Sequence, residues 1–148
     1  MTGKQLHPKK HFLTPSEKEK ITKSLVSYLE QREEICFAYL HGSFVGDGPF
    51  GDIDIAVYLN TEMEPAQALE YELDLEIAAE KIVKYPVDIR LLNRAPLSFR
   101  YSAIKNGKAI VSRNEEKRVD FHARTITMYC DFAPYRRRYL KEAFGFEI

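Results

Sequence analysis

Only two cysteines occur in the 148 residues, Cys36 and Cys130, and no metal-ligand spacing joins them. A disulfide scaffold and a thiolate zinc site are therefore excluded, and both read as buried free thiols of a reducing cytosol. No apolar run approaches the roughly 20 residues of a membrane span, so no membrane partner is expected. The opening MTGKQLHPKKHF has basic residues but no apolar stretch, and it reads as a flexible lead-in rather than a secretory signal. Net charge is also missing, with 22 basic residues against 22 acidic ones. A general attraction to nucleic acid is not indicated, and any such contact would need a local patch. There is no internal repeat and no low-complexity segment.

What is present suits one cytoplasmic globular domain, 45% hydrophobic and 30% charged. Thr14-Pro15-Ser16-Glu17 is a helix start with a capping box, and Ile21, Leu25 and Leu29 follow at helical spacing to about residue 32. Residues 35–40 are continuously apolar, as in a strand buried on both faces. Ile53, Ile55 and Val57 alternate with Asp52, Asp54, Ala56 and Tyr58 in a second strand. Residues 65–84 read as a helix with Leu69, Leu73 and Ile77 on one face. Residues 86–91 make a third strand, 96–107 a helix ended by Gly107, and 108–111 a short fourth strand. Asn114 caps a last helix carrying Val119, His122, Ile126 and Cys130, which Pro134 breaks or kinks before a further helical stretch over 135–144. Alternating helices and strands predict an α/β domain with a small mixed sheet flanked by helices. The expected division is a lead-in over 1–13, a core over 14–112 and a helical C-terminal segment over 113–148.

The chemistry is concentrated in HGSFVGDGPFGDIDIAV, residues 41–57. Strand alternation places Asp52 and Asp54 on one face, about 6–7 Å apart along the chain. Two carboxylates on one face repel unless a cation sits between them, and carboxylate oxygens suit Mg²⁺. Asp88, between Val87 and Ile89, also points away from the core face of its strand. If the strands are neighbours, three carboxylates converge, enough for two ions of a phosphoryl- or nucleotidyl-transfer site. Gly42 and Ser43 end the first strand, where backbone N–H groups and a hydroxyl can meet phosphate oxygens. A lone Asp-x-Asp is commonly a surface strand, so the reading rests on the combination.

The pattern Gly42-Ser43, a gap, Asp52-Ile53-Asp54 and a later strand-borne Asp88 resembles the polymerase-β-type nucleotidyltransferase superfamily. Its size and layout look like the minimal nucleotidyltransferase (MNT) antitoxins that partner HEPN-domain ribonuclease toxins. The resemblance implies the polymerase-β-like fold with a helical C-terminal tail. It implies that Asp52, Asp54 and Asp88 bind Mg²⁺, two per site, and are catalytic, Asp88 assisting deprotonation of the acceptor. It implies that Gly42 and Ser43 hold the β- and γ-phosphates of ATP. The implied reaction transfers AMP to a tyrosine hydroxyl of a cognate HEPN toxin and neutralises it. Two other readings remain: a silent antitoxin acting by direct binding, or a nucleotidyltransferase acting on RNA ends or a small-molecule hydroxyl.

Relatives often carry an arginine in the loop after Gly-Ser, where this chain has FVGDGPFG with Asp47 and no base. Arg90, on the face of Asp88, either replaces that charge or is a solvated strand-end residue. His41 either touches phosphate or is a satisfied strand-end histidine. His122 reads as packed, and His7 and His11 fall in the lead-in. Tyr135-Arg136-Arg137-Arg138-Tyr139 reads as a docking surface or a solvated helix, with RNA binding ranked behind both.

Overall fold

The computed structural model describes residues 9–145. Residues 1–8 of the expected lead-in, His7 among them, and residues 146–148 of the C-terminal segment lie outside the described residues. Eight regular elements follow one another: α1 (Pro15–Glu30), β1 (Ile35–His41), β2 (Ile53–Leu59), α2 (Pro65–Val83), β3 (Val87–Leu91), α3 (Leu97–Asn106), β4 (Lys108–Ser112) and α4 (Glu115–Phe144). A 3-10 turn, Ser43–Val45, lies between β1 and β2. The strands form one mixed sheet in the order β3-β2-β1-β4. β1 runs antiparallel to β2 and β4, whereas β2 and β3 are parallel with α2 as their crossover.

Local chemistry accounts for the boundaries. Thr14 accepts from the Glu17 N–H while Glu17 accepts from the Thr14 N–H, the reciprocal box that starts α1. Asn114 caps α4 by accepting from the Lys117 N–H. Gly107 lets the chain turn closely from α3 into β4, since any Cβ there would strike the Ala103 carbonyl. Of the lead-in, His11 is fastened to the loop before β2, exchanging backbone hydrogen bonds with Phe50 of 2.8 and 3.0 Å.

The sheet is covered on both faces. On one side Leu25 and Leu29 of α1 and Leu75, Ala79 and Val83 of α2 bury Ile53, Ile55, Val57 and Ile89. On the other, Phe37, Tyr39 and Ala56 meet Ala103 and Ile104 of α3, with Phe121 and Ile126 of α4 packed against them. β3 is an edge strand with an unusual cover. The N–H groups of Val87, Ile89 and Leu91 donate to the carboxylates of Glu80, Glu76 and Glu72, one helical turn apart, at 3.0, 2.8 and 2.9 Å.

Three expectations need correction. The α2 face of Leu69, Leu73 and Ile77 does not enter the core: these residues are 58%, 48% and 55% exposed. The helix has two apolar stripes, and the one with small Ala79 at its centre approaches the sheet. Pro134 does not break the last helix, which runs unbroken through it. The hydrogen bond proline forfeits would have used the Cys130 carbonyl, in a stretch exposed enough for water to replace it. Cys36 is buried as expected, but Cys130 is exposed on the outer side of α4, as is Val119, whereas Thr125 is the buried residue of that helix.

Candidate active site

β1 ends at His41, and the chain turns at Gly42 with φ of 77°, a left-handed conformation costly to any residue with a Cβ. A Cβ there would also collide with a carboxylate oxygen of Asp54, so that carboxylate lies directly over the Gly42 Cα. The 3-10 turn follows, closed by bonds from Val45 N–H to the Gly42 carbonyl and from Gly46 N–H to the Ser43 carbonyl, both 3.2 Å. Its anchor is Phe44, buried beneath the turn and edge-on to Phe50 at 4.8 Å between centroids. Ser43 itself remains exposed.

Strand register brings two of the three aspartates together. Asp54 pairs with Asp88 across the parallel β2–β3 ladder and with His41 across the antiparallel β1–β2 ladder. Paired positions in adjacent strands are about 4.8 Å apart, and both carboxylates rise from the sheet face that also carries Ala56 and Tyr39. Asp52 stands one residue before β2 and is half-buried. Among the described residues, no three His, Cys, Asp or Glu side chains are gathered closely enough to hold a metal ion. The donor type nevertheless suits a hard divalent cation, with the carboxylates of Asp54 and Asp88 on one sheet face and Asp52 two residues before Asp54.

Several neighbours of the aspartates were not legible in the sequence. Phe99 of α3 carries the Arg90 guanidinium over its ring at 5.4 Å and meets the His41 ring edge-on at 5.6 Å. Arg90 Nε is 3.9 Å from Asp88 Oδ2, so its charge lies beside that carboxylate although its side chain is largely exposed. Burial holds the His41 imidazole below its ordinary range, against the pull of Asp88 and with the help of Arg90. Glu76, besides accepting from Ile89, faces Asp88. Burial raises its pKa, the Ile89 N–H opposes that, and the Asp88 carboxylate adds to the rise. The spacing of Glu72, Glu76 and Glu80 was the available signal, since acids at every fourth position line one side of a helix. The glycine-rich loop also has a cation from another element. Lys18 Nζ of α1 donates to the Gly46 and Gly48 carbonyls at 2.8 and 3.2 Å and lies over the rings of Phe44 and Phe50.

A family model described as "Polymerase beta, Nucleotidyltransferase" matches residues 23–116, the stretch containing Gly42, Ser43 and all three aspartates. The chain belongs to the polymerase-β nucleotidyltransferase family. No curated protein matches this nucleotidyltransferase. Among solved structures it is similar to a chain of the complex between a tri-AMPylated Shewanella oneidensis HEPN toxin and MNT antitoxin. The identity is 20% and the TM-score 0.67, over 85% of this chain and 98% of that one. A chain of a toxin–antitoxin structure with AMP-PNP is 23% identical at TM-score 0.64, over 85% of this chain and 97% of that one. A chain of the MntA–HepT toxin–antitoxin structure is 21% identical at TM-score 0.62, over 86% and 97%. At these identities the shared property is the fold. It extends beyond the region of the family model to cover most of the nucleotidyltransferase.

Proposed function

We propose that this chain is a cytoplasmic, Mg²⁺-dependent antitoxin that transfers AMP from ATP to a tyrosine hydroxyl of a cognate HEPN-domain toxin. One observation carries the reading. In a nucleotidyltransferase chain, Asp54 lies in register with Asp88, and its carboxylate rests on Gly42 where a short turn of N–H groups begins. The fold-level likeness to antitoxin complexes, one with a tri-AMPylated toxin and one with AMP-PNP, supports the choice of acceptor and co-substrate.

In this reading Asp52, Asp54 and Asp88 hold the metal, and the backbone around Gly42 and Ser43, with the Ser43 hydroxyl, holds the β- and γ-phosphates. Bound Mg²⁺ supplies charge neutralisation on the triphosphate. The tyrosine oxygen forms a bond to the α-phosphorus as the bond to the bridging oxygen of the β-phosphate breaks. Pyrophosphate leaves, and the phenolic proton passes to the Asp88 carboxylate. Arg90, held by Phe99, provides positive charge at the same end of the sheet. The C-terminal segment packs on the core through the first half of α4 and leaves its second half available to the partner.

The test is incubation with α-labelled ATP, Mg²⁺ and the product of the neighbouring gene. Label on a partner tyrosine is expected, reduced at least about 100-fold by Asp52→Asn with Asp54→Asn. An unlabelled partner overturns the enzymatic reading. A second reading, a silent antitoxin that blocks by contact, is favoured by one feature. Lys18, the cation at the loop, is committed to backbone carbonyls rather than open to phosphate. Toxin neutralisation in cells by the double-aspartate variant would select it.

A further inference from the structure

Beside Asp88 the sheet edge opens into a cleft of about 840 Å³, with α2 on one wall and the segment from Asn93 to Phe99 on the other. Asp88 and Arg90 line one end, and Leu69 and Leu73 line the α2 wall. The apolar stripe continues past the cleft to Ile77. Leu69, Leu73 and Ile77 are all about half exposed, although spacing by four residues is how a helix presents a packing ridge. Exposed leucines recurring at that spacing, contiguous with a cleft that reaches the reacting end of the sheet, mark an interaction surface.

Two further observations decide what would dock there. The cleft follows edge strand β3, and an exposed edge ordinarily accepts a peptide as an added strand. Here that route is closed, because the outward N–H groups of Val87, Ile89 and Leu91 already donate to Glu80, Glu76 and Glu72. Only side-chain packing remains, and a ridge of i, i+4 positions packs best against a second helix. The charge on α2 then selects among helices. Its 19 residues carry five acids, Glu70, Glu72, Asp74, Glu76 and Glu80, against one base, Lys81. Glu70 and Asp74 are exposed next to the stripe. A second copy of α2 would bring acid against acid, whereas a helix with basic residues flanking an apolar seam would be complementary.

We propose that the α2 ridge and the cleft beside it dock a basic amphipathic helix of the partner, which presents its acceptor hydroxyl to Asp88. This rests on the adenylyltransferase reading for the hydroxyl but not for the docking itself, and the experiment separates the two. The full chain carrying Leu69→Glu with Leu73→Glu is compared with wild type and with Ile82→Glu, an exposed position on another side of the same helix. Measured are helicity by circular dichroism, binding of a fluorescent ATP analogue with Mg²⁺, calorimetric affinity for the product of the neighbouring gene, and AMP transfer to it.

The double variant is expected to fold and bind nucleotide like wild type, to bind the partner at least tenfold more weakly, and to show a raised KM for the partner with kcat within about threefold. Ile82→Glu is expected to behave as wild type, and partner affinity should fall as salt screens the acidic face. Glu70→Lys with Asp74→Lys, which keeps the ridge, should weaken the partner as well. Partner affinity unchanged in the leucine variant, or lowered equally by Ile82→Glu, overturns the proposal. So does loss of nucleotide binding in the leucine variant, which would assign the cleft to the base of ATP, or a wild-type homodimer that this variant dissolves. If wild type transfers no AMP yet the leucine variant still loses the partner, the docking surface stands and the enzymatic reading fails.

Discussion

Gly42 has two duties that no other residue type can combine: a left-handed backbone and an empty position beneath the Asp54 carboxylate. Gly42→Ala would carry a backbone cost of about 1–3 kcal/mol and displace Asp54 besides. A displacement on the order of 1 Å near the reacting atoms lowers rates about 100-fold. The variant is therefore expected to fold, melt earlier, and lose about two orders of magnitude in kcat/KM for AMP transfer, measurable with labelled ATP. Lys18 belongs to the same scale. Its ammonium ties the Gly46 and Gly48 carbonyls to α1. Lys18→Met should cost about 1 kcal/mol in urea unfolding, because the bonds are solvent-accessible. It should also raise the KM for ATP several-fold while leaving kcat nearly unchanged, with Lys18→Arg restoring part of the loss. The aspartates and Gly-Ser were legible because strand alternation and glycine each leave a local mark in the sequence. Lys18 meets the glycine-rich loop, and Phe99 meets Arg90, only through tertiary contact, and no local pattern announces such meetings.

At the scale of elements, the β3–α2 unit shows why the apolar stripe noted in the sequence is not the one that packs on the sheet. The pattern of α2 satisfies a helix buried along 69-73-77 or along 75-79-83, and periodicity alone cannot choose. The glutamates choose: with Glu72, Glu76 and Glu80 turned to the edge of β3, Leu75 and Ala79 must face the sheet. Removing one member leaves a half-buried N–H without its acceptor, so Glu80→Ala should cost about 1–3 kcal/mol in urea unfolding. It should also expose part of a strand edge, and increased light scattering on gentle warming would register that. The junction of β4 and α4 is held differently. Arg118 bonds Glu115 through Nε and Nη2 at 2.9 and 2.5 Å and donates to the Tyr39 hydroxyl at 3.0 Å, while Ser112 donates to Glu115 at 2.6 Å. The bonds from Arg118 and Ser112 hold the Glu115 carboxyl down to about 2, from an ordinary value of 4.5. A depressed acid stabilises the folded state above its unfolded pKa and loses that contribution as pH falls toward its folded one. The difference in unfolding midpoint between wild type and Glu115→Gln should accordingly be constant above about pH 6, shrink between 4.5 and 2, and be modest throughout because Glu115 is exposed.

Over the whole molecule, the layered α/β plan was legible, since each strand and helix carries its own period and most have a capping or turn residue at one end. The relation of the last helix to the rest was not, because its pattern gives no sign of where packing stops. In the structure the first half of α4 lies on the sheet: Phe121 and Ile126 meet the second core cluster, Thr125 is buried, and Tyr129 stacks on Tyr101 at 3.8 Å. From residue 131 to 145 no residue is buried, yet Phe132, Tyr135, Tyr139 and Phe144 are large and exposed. A helical stretch that buries no residue fully and only Ala133 and Leu140 in part draws little stability from tertiary packing, and one of this length is marginal by itself in water. A chain ending at Asp131 should therefore melt within about 3 °C of the full chain, the shift that about 1 kcal/mol produces at this size. Its affinity for a nucleotide analogue with Mg²⁺ should be unchanged, because the α4 residues packed on the sheet face of Asp54 and Asp88, Phe121 and Ile126, precede the cut. A larger fall in melting temperature, followed by circular dichroism, would mean that the second half of α4 supports the core and is not a surface held out for a partner.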